Sequence, residues 1–193
     1  MGCPKMFLDF NGKPLIRYSL EALGHVCSEI MIVTQTPDLF KGVNAKVVTD
    51  AVTQAGPMGG LFTGLECAQN HWSIAIACDM PYIRKELLNG LIAQLHSKIY
   101  KEAIVPLGPE NVGREGGRQP LCALYSKNCL PVLHRLIMAG RVSLLQSLSE
   151  LETQFLSWLD LDRDDREGIS FLNLNTPPDL KLARENFGAP LST

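Results

Sequence analysis

The sequence predicts an α/β domain built on a mostly parallel, doubly wound sheet, and three observations carry that reading. Six or seven short apolar runs alternate with stretches of helical periodicity, the pattern of a sheet covered by helices on both faces. The run Ile74-Ala75-Ile76-Ala77 is apolar without alternation, as a strand buried on both faces requires. Polar residues then recur just past predicted strands, at Asp50, at Asp79 and at the pair Asn173 and Asn175. In open α/β sheets ligands sit outside the carboxyl ends of strands, so such a convergence suggests a site.

Size and composition fit one domain with a substantial core: 193 residues, 46% of them hydrophobic, with a net charge of -2. There is no basic run to suggest nucleic acid or an anionic membrane. No apolar stretch approaches the roughly 18 residues of a spanning helix, and no signal-peptide pattern opens the chain. The six cysteines, at 3, 27, 67, 78, 122 and 129, form no Cys-x-x-Cys pair. They read as reduced, buried thiols of a cytoplasmic protein rather than a disulfide frame or zinc site. None of His25, His71, His96 and His134 stands at metal-ligand spacing to another.

The elements follow in order. Met6–Phe10 reads as extended, Asn11-Gly12 as a turn, and Pro14 as the start of a helix with Leu15, Leu20, Leu23 and Val26 on one stripe. Ile30–Val33 is a buried strand, Pro37–Phe40 a helical turn, and Lys46–Val48 a short strand ending near Asp50. Gly56-Pro57-Met58-Gly59-Gly60 is a glycine-rich turn feeding a helix. Such a geometry lets backbone N–H groups approach a phosphate or serves simply as a tight turn. It is neither a Walker loop nor a dinucleotide fingerprint, because the spacing fits neither. After the Asp79 strand come a helix over about Lys85–Leu95, a strand at Ala103–Leu107 and a mobile loop over Gly108–Arg118. Gln119–Tyr125 reads as a strand whose proline places it at an edge or falls in the strand's first turn. Asn128–Ala139 and Ser143–Leu151 are helical, Gln154–Leu159 extended, and Phe171–Asn175 a strand. Thr176-Pro177-Pro178-Asp179 starts the last helix, which frays after Asn186.

Asp79 allows two readings from spacing alone. It is a carboxylate placed to hold a metal ion that bridges to phosphate oxygens, or it caps the next helix or ends a turn.

Taken together, five pieces in this order resemble the molybdenum cofactor guanylyltransferase family. They are Asp50, Gly56-Pro57-Met58-Gly59-Gly60-Leu61-x-x-Gly64-Leu65, Cys78-Asp79-Met80-Pro81-Tyr82, Gln119–Tyr125, and Asn173-Leu174-Asn175-Thr176-Pro177-Pro178-Asp179-Leu180. The resemblance runs through nearly the whole chain. It implies a Rossmann-like nucleotidyltransferase fold and a reaction in which a molybdopterin phosphate attacks the α-phosphorus of GTP, with pyrophosphate leaving. It implies Asp79 as the Mg²⁺ ligand and nucleotide contact, Asp50 as a second acid of the nucleotide site, and Gly59 and Gly60 in the nucleotide loop. Lys5 is similar to the lysine that follows the family's Arg-Met-Gly segment and meets the phosphates. Asn173 and Asn175 match the pterin side, with Arg118 and Pro120 beside them. Implied partners are GTP and molybdopterin, together with contacts to molybdenum-cofactor synthesis proteins or molybdoenzymes.

The residue types suit that chemistry. Two polyanions must meet, so a cation at Lys5 and Mg²⁺ at Asp79 would offset charge on the α-phosphate and leaving group. The nucleophile belongs to the substrate, so no Ser/His or Cys/His pair is needed. The same fold also serves a cytidylyltransferase for this cofactor, and a non-catalytic molybdopterin-binding protein would keep the pterin side alone. The family's opening strand and its Leu-x-Gly-Gly-x-Ser-x-Arg segment have no counterpart here. Two expectations follow: a sequence read from an internal methionine, with a central strand and phosphate loop upstream of Met1, which is the favoured reading, or a polypeptide that is itself short, with weak or no catalysis and poor stability.

Overall fold

The alternation of strands and helices is realised in chain order in the computed structural model, which describes residues 4–97, 100–110 and 116–187. A short antiparallel hairpin comes first, β1 (Asp9–Phe10) with β2 (Lys13–Pro14). Its turn puts Asn11 at φ 52° and Gly12 at φ 84°, the left-handed pair that a two-residue hairpin loop demands. Extended Pro14 then leads into α1 (Leu15–Gly24), which buries Leu15, Ile16, Tyr18, Ser19 and Ala22. β3 (Met31–Thr34) and β4 (Lys46–Thr49) run parallel, joined through a 3₁₀ turn at Pro37–Phe40. α2 (Gly56–Cys67), β5 (Trp72–Ile76), α3 (Lys85–Ala93), β6 (Ala103–Leu107) and β7 (Cys122–Ser126) follow. The chain continues through α4 (Leu130–Met138), α5 (Leu144–Ser147), β8 (Thr153–Ser157), α6 (Trp158–Leu161) and α7 (Pro177–Phe187). Among the described residues no helix is long and apolar enough to cross a membrane.

The larger sheet has the order β5-β7-β6-β8. β7 is antiparallel to both β5 and β6, and β6 is parallel to β8, so β5, β6 and β8 share one direction and β7 alone is reversed. The starts of β3 and β5 are tied together, since the Gln69 N–H donates to the Glu29 carboxylate at 3.0 Å. Cys78, beyond the end of β5, packs with Ile32 and Phe40 on the β3 side. β3 and β4 therefore run with β5, and the sheet is mostly parallel.

Its two faces bury different partners. Ala103, Val105, Ala123 and Tyr125 pack under α2 and α4, whereas Ile104, Cys122 and Leu124 pack under α3 and α6. That period-two split puts apolar side chains on both faces, and helices cover both.

Three expectations are corrected. Of the two readings of Pro120 the edge one fails: β7 is a central strand, flanked on both sides, and Pro120 lies at its entry, before its first residue, where it removes no donor from the ladder. Phe171–Asn175 forms no strand. A 3₁₀ turn covers Ile169–Phe171, and the Asp165 carboxylate accepts the N–H groups of Ile169 and Ser170. The following backbone is used singly, with the Leu174 N–H donated to the Asp79 carbonyl at 2.9 Å. Cys67, expected inside, is exposed at the last position of α2, while Cys122 and Cys129 are buried. The sheet is in two pieces. Between β3 and β5, where the resemblance puts a further central strand, the described residues supply none and leave a cleft of about 680 Å³. Residues 1–3, the Asn111–Glu115 part of the expected mobile loop, and the tail from 188 to 193 lie outside the described residues.

Candidate active site

Three residues far apart in sequence meet where β5 ends. A 3₁₀ turn at Lys5–Phe7, packed on α1, carries the Lys5 ammonium to Asp79, three residues past the end of β5. Lys5 Nζ donates to Asp79 Oδ2 and also to Asn175 Oδ1. The Asp79 side chain is 13% exposed and that of Lys5 is 32% exposed, so the pair forms at the floor of an open site rather than in the core. Asp79 Oδ1 is buried and accepts no hydrogen bond. A carboxylate oxygen in that state is under-coordinated, because buried acceptors are nearly always paired. The capping reading of Asp79 fails, since Arg84 occupies the N-cap position of α3 and no side chain caps it.

Asn175 is positioned by the start of α7. Asp179 Oδ2 accepts the N–H groups of Asn175 and Thr176, both at 2.8 Å, and the Asp179 N–H returns to Thr176 Oγ1 at 3.3 Å. This is a reciprocal capping arrangement. Those two backbone donors hold the Asp179 carboxyl below its usual range. Asp79 grips the same segment from the other side through its carbonyl and Leu174. Sequence reading placed Asp179 only as a helix-start acid and missed its hold on Asn175. The Thr-x-x-Asp spacing directly after Asn175 was the available signal.

The other predicted residues are placed differently. Asp50 Oδ1 accepts from the Val52 N–H and from Thr63 Oγ1, both at 3.0 Å, which clamps the loop after β4 onto α2. Gly59 serves close packing, since a Cβ there would lie 2.7 Å from the Val52 carbonyl oxygen. Gly60 faces open space and lines the β3–β5 cleft together with Asp79. The Asn173 amide donates to the Phe171 carbonyl at 3.0 Å and braces its own loop. Arg118 stacks on Phe155 of β8, 5.3 Å from the ring centre, at the opposite edge of the sheet from β5. Pro120 accepts the Tyr125 hydroxyl at 2.8 Å. The structure thus joins Lys5, Asp79 and Asn175, keeps Gly60 on the adjoining cleft, and separates Arg118 from them.

One carboxylate with a free oxygen is a sparse metal site, and no group of three or more His, Cys, Asp or Glu side chains gathers among the described residues. That sparseness suits Mg²⁺, which keeps several waters and takes one or two carboxylates plus substrate phosphates. It does not suit a closed zinc centre, which needs four protein ligands.

Sequence and fold are both similar to those of known proteins. The family model described as the MobA-like NTP transferase domain matches residues 1–153, a span that holds Lys5, Asp50, Gly60 and Asp79 but ends before Asn175. A probable molybdenum cofactor guanylyltransferase of Natranaerobius thermophilus is 30% identical over 192 residues, covering 97% of this chain and 90% of the relative. The molybdenum cofactor guanylyltransferase of Desulfosudis oleivorans is 30% identical over 182 residues, covering 94% and 86%. The crystal structure of molybdopterin-guanine dinucleotide biosynthesis protein A from Archaeoglobus fulgidus superposes with a TM-score of 0.79 at 28% identity, covering 95% of this chain and 90% of that one. With a family model matching most of its length and relatives 30% identical over nearly all of it, the chain belongs to the MobA-like NTP transferase family, a family of nucleotidyltransferases.

Proposed function

We propose that the protein transfers GMP from GTP to molybdopterin, forming the guanine dinucleotide cofactor and releasing pyrophosphate. The observation that carries the site assignment is Asp79, with one oxygen on Lys5 and the other buried and unpartnered at the carboxyl end of β5. Asp79 is the residue that would hold Mg²⁺, which when bound offsets charge on the nucleotide phosphates. Lys5 supplies a second cation within reach of the same phosphates. Asn175, held by Asp179, presents its amide beside Lys5 and orients the acceptor on the α7 side. Gly60 keeps the α2 surface free of side chain where the cleft meets Asp79. Asp50 contributes through the loop it clamps, because Oδ1 is engaged by Val52 and Thr63. Positioning and charge suffice, since the attacking oxygen comes with the substrate.

The test is Asp79→Asn, which keeps the shape and removes the charge. Pyrophosphate release from GTP with molybdopterin should fall by roughly 10²–10³-fold, as when one preorganised electrostatic group is removed. The thermal midpoint should hold within a few degrees. A parallel comparison of GTP, CTP and ATP with Mg²⁺ should give the largest thermal shift for GTP. Turnover by Asp79→Asn at the parent rate would refute the site. A larger shift with CTP would refute the guanylyl assignment.

A further inference from the structure

The larger sheet ends on β8, and one side of that strand's backbone is unused. The Glu152 carbonyl, at the strand's entry, accepts the N–H groups of Glu102 and Ala103 at 2.8 and 3.3 Å, so it faces β6. Alternation carries Gln154 and Leu156 to the same side. The other neighbour of β6 agrees, since the Ser126 N–H donates to the Glu102 carbonyl at 2.8 Å and leaves Ala103 and Val105 to serve β8. The N–H and C=O groups of Thr153, Phe155 and Ser157 therefore point outward, and among the described residues no strand meets them. The opposite outer strand is guarded. β4 reads Lys-Val-Val-Thr, and an edge lysine of this kind opposes strand addition. β8 reads Thr-Gln-Phe-Leu-Ser, with no charge, proline or glycine to do so.

The side chains along this edge suit a copy of the same strand. Phe155 is 37% exposed and Leu159, two residues beyond β8, is 38% exposed, although both are apolar. The strand's entry is acidic, since Glu152 is exposed and its N–H is held by the Glu102 carboxylate at 3.0 Å. Its exit carries arginines. Arg118 lies on the Phe155 ring, and Arg163 and Arg166 line a shallow hollow with Leu159. All three arginines are exposed, and among the described residues none of them enters an ion pair, although Asp160, Asp164 and Glu167 stand near in sequence. An edge that is acidic at one end and cationic at the other complements itself when the second strand runs antiparallel. Run parallel, it would set acid against acid.

We propose that β8 is the contact of a symmetric dimer, in which the β8 strands of two copies of this chain pair antiparallel with Phe155 on the two-fold axis. Phe155 then bonds to Phe155 of the second copy, and Thr153 to Ser157 in both directions, about six main-chain bonds in all. Moving the axis to Gln154 or Leu156 leaves an outward residue of each copy outside the pairing. The two Phe155 rings become cross-strand neighbours on one face, each backed by its own Arg118. Glu152 comes opposite Trp158 of the second copy, beside the hollow of Leu159, Arg163 and Arg166. Because the strands run in opposite directions, the two Asp79 sites open away from each other. With 5 residues of strand a side, the contact falls below the roughly 1,200 Å² of a standard interface, so the dimer exchanges with monomer. Nothing in this inference depends on the nucleotidyl-transfer reading.

Sedimentation velocity of the intact protein over roughly a hundredfold range of concentration should show the mass rising from monomer toward dimer. Amide exchange at the two ends of that range locates the contact. The amides of Thr153, Phe155 and Ser157 should slow by about tenfold or more in the dimer, whereas those of Gln154 and Leu156, already turned to β6, should keep their rates. Phe155→Lys puts two cations on the axis and should raise the dissociation constant by about tenfold or more. Glu152→Arg should weaken the dimer roughly three- to tenfold, and adding Arg163→Glu should recover it. Should Phe155→Lys misfold, the exchange pattern of the parent protein still decides. A monomer at every concentration overturns the proposal. A dimer that Phe155→Lys leaves intact, or one whose Phe155 amide exchanges as fast as in the monomer, overturns it by placing the contact elsewhere. Failure of Arg163→Glu to recover the Glu152→Arg dimer overturns the antiparallel register.

Discussion

Adjacent glycines in the first turns of α2 should respond to alanine with opposite signs. A Cβ on Gly59 would stand 2.7 Å from the Val52 carbonyl oxygen, 3.1 Å from the Ala55 Cβ and 3.3 Å from the Val52 Cβ. The first of these is a backbone atom that cannot rotate away. Asp50 fixes it, accepting the Val52 N–H and bonding Thr63 on α2 at 3.0 Å each. Relief requires moving the loop or the helix, an overpacking cost of about 1–3 kcal/mol that outweighs the helix-propensity gain of about 1 kcal/mol. A Cβ on Gly60 meets nothing within 4 Å, so Gly60→Ala collects the propensity gain with no clash. At about 2–4 °C per kcal/mol for a chain of this size, Gly59→Ala should lower the thermal midpoint by several degrees and Gly60→Ala should raise it by up to about 4 °C. Differential scanning calorimetry on both variants reads the contrast directly. Equal shifts, or a Gly59→Ala variant at least as stable as the parent, would refute the argument that Asp50 and Gly59 form one packing unit.

Other perturbations follow from the same reasoning. Arg84 Nε donates to Asp162 Oδ2 at 2.6 Å, and the Asp162 side chain is only 2% exposed. Arg84→Met strands that carboxylate and should cost about 3 kcal/mol in urea unfolding, at the low end for a broken buried pair because Arg84 itself is partly exposed. A loss under 1 kcal/mol would contradict this. Asp179 has a depressed folded-state pKa, so its stabilisation is fully present above the ordinary carboxylate value of about 3.9 and is lost as pH falls through the lower folded value. The gap in thermal midpoint between the parent and Asp179→Asn should therefore be constant near neutrality and close only below about pH 4. A gap that closed between pH 5 and 7 would place the titration elsewhere. Burial pushes the Cys129 thiol up to about 12 and Cys122 higher still, so both should resist maleimide at pH 8 until the protein unfolds. Labelling of either in the native state would contradict their burial.

Local pattern determined much of this protein. The apolar runs at 30–33, 46–48, 74–77 and 103–107 each contain or overlap an observed strand, and Asn11-Gly12, Pro14 and Thr176 mark the turns and helix starts where they occur. These are readable because burial imposes a period, and turns impose a backbone conformation, within a few residues. The candidate residues Lys5, Asp79 and Asn175 were also legible, through the motifs around them.

What the linear pattern could not supply is which of them meet. Lys5 lies 74 residues from Asp79 and 170 from Asn175, and only the placement of the Lys5 turn against the end of β5 and the start of α7 brings the three together. The same tertiary order sends Arg118 to the β8 edge, spends Asp50 on a loop clamp and turns Asn173 back on its own backbone. It also makes β7 central and denies Phe171–Asn175 a strand partner, since a strand exists only where a neighbour accepts its hydrogen bonds. Sequence fixes what each segment can bury; the neighbours that complete its polar groups are chosen by the assembled sheet.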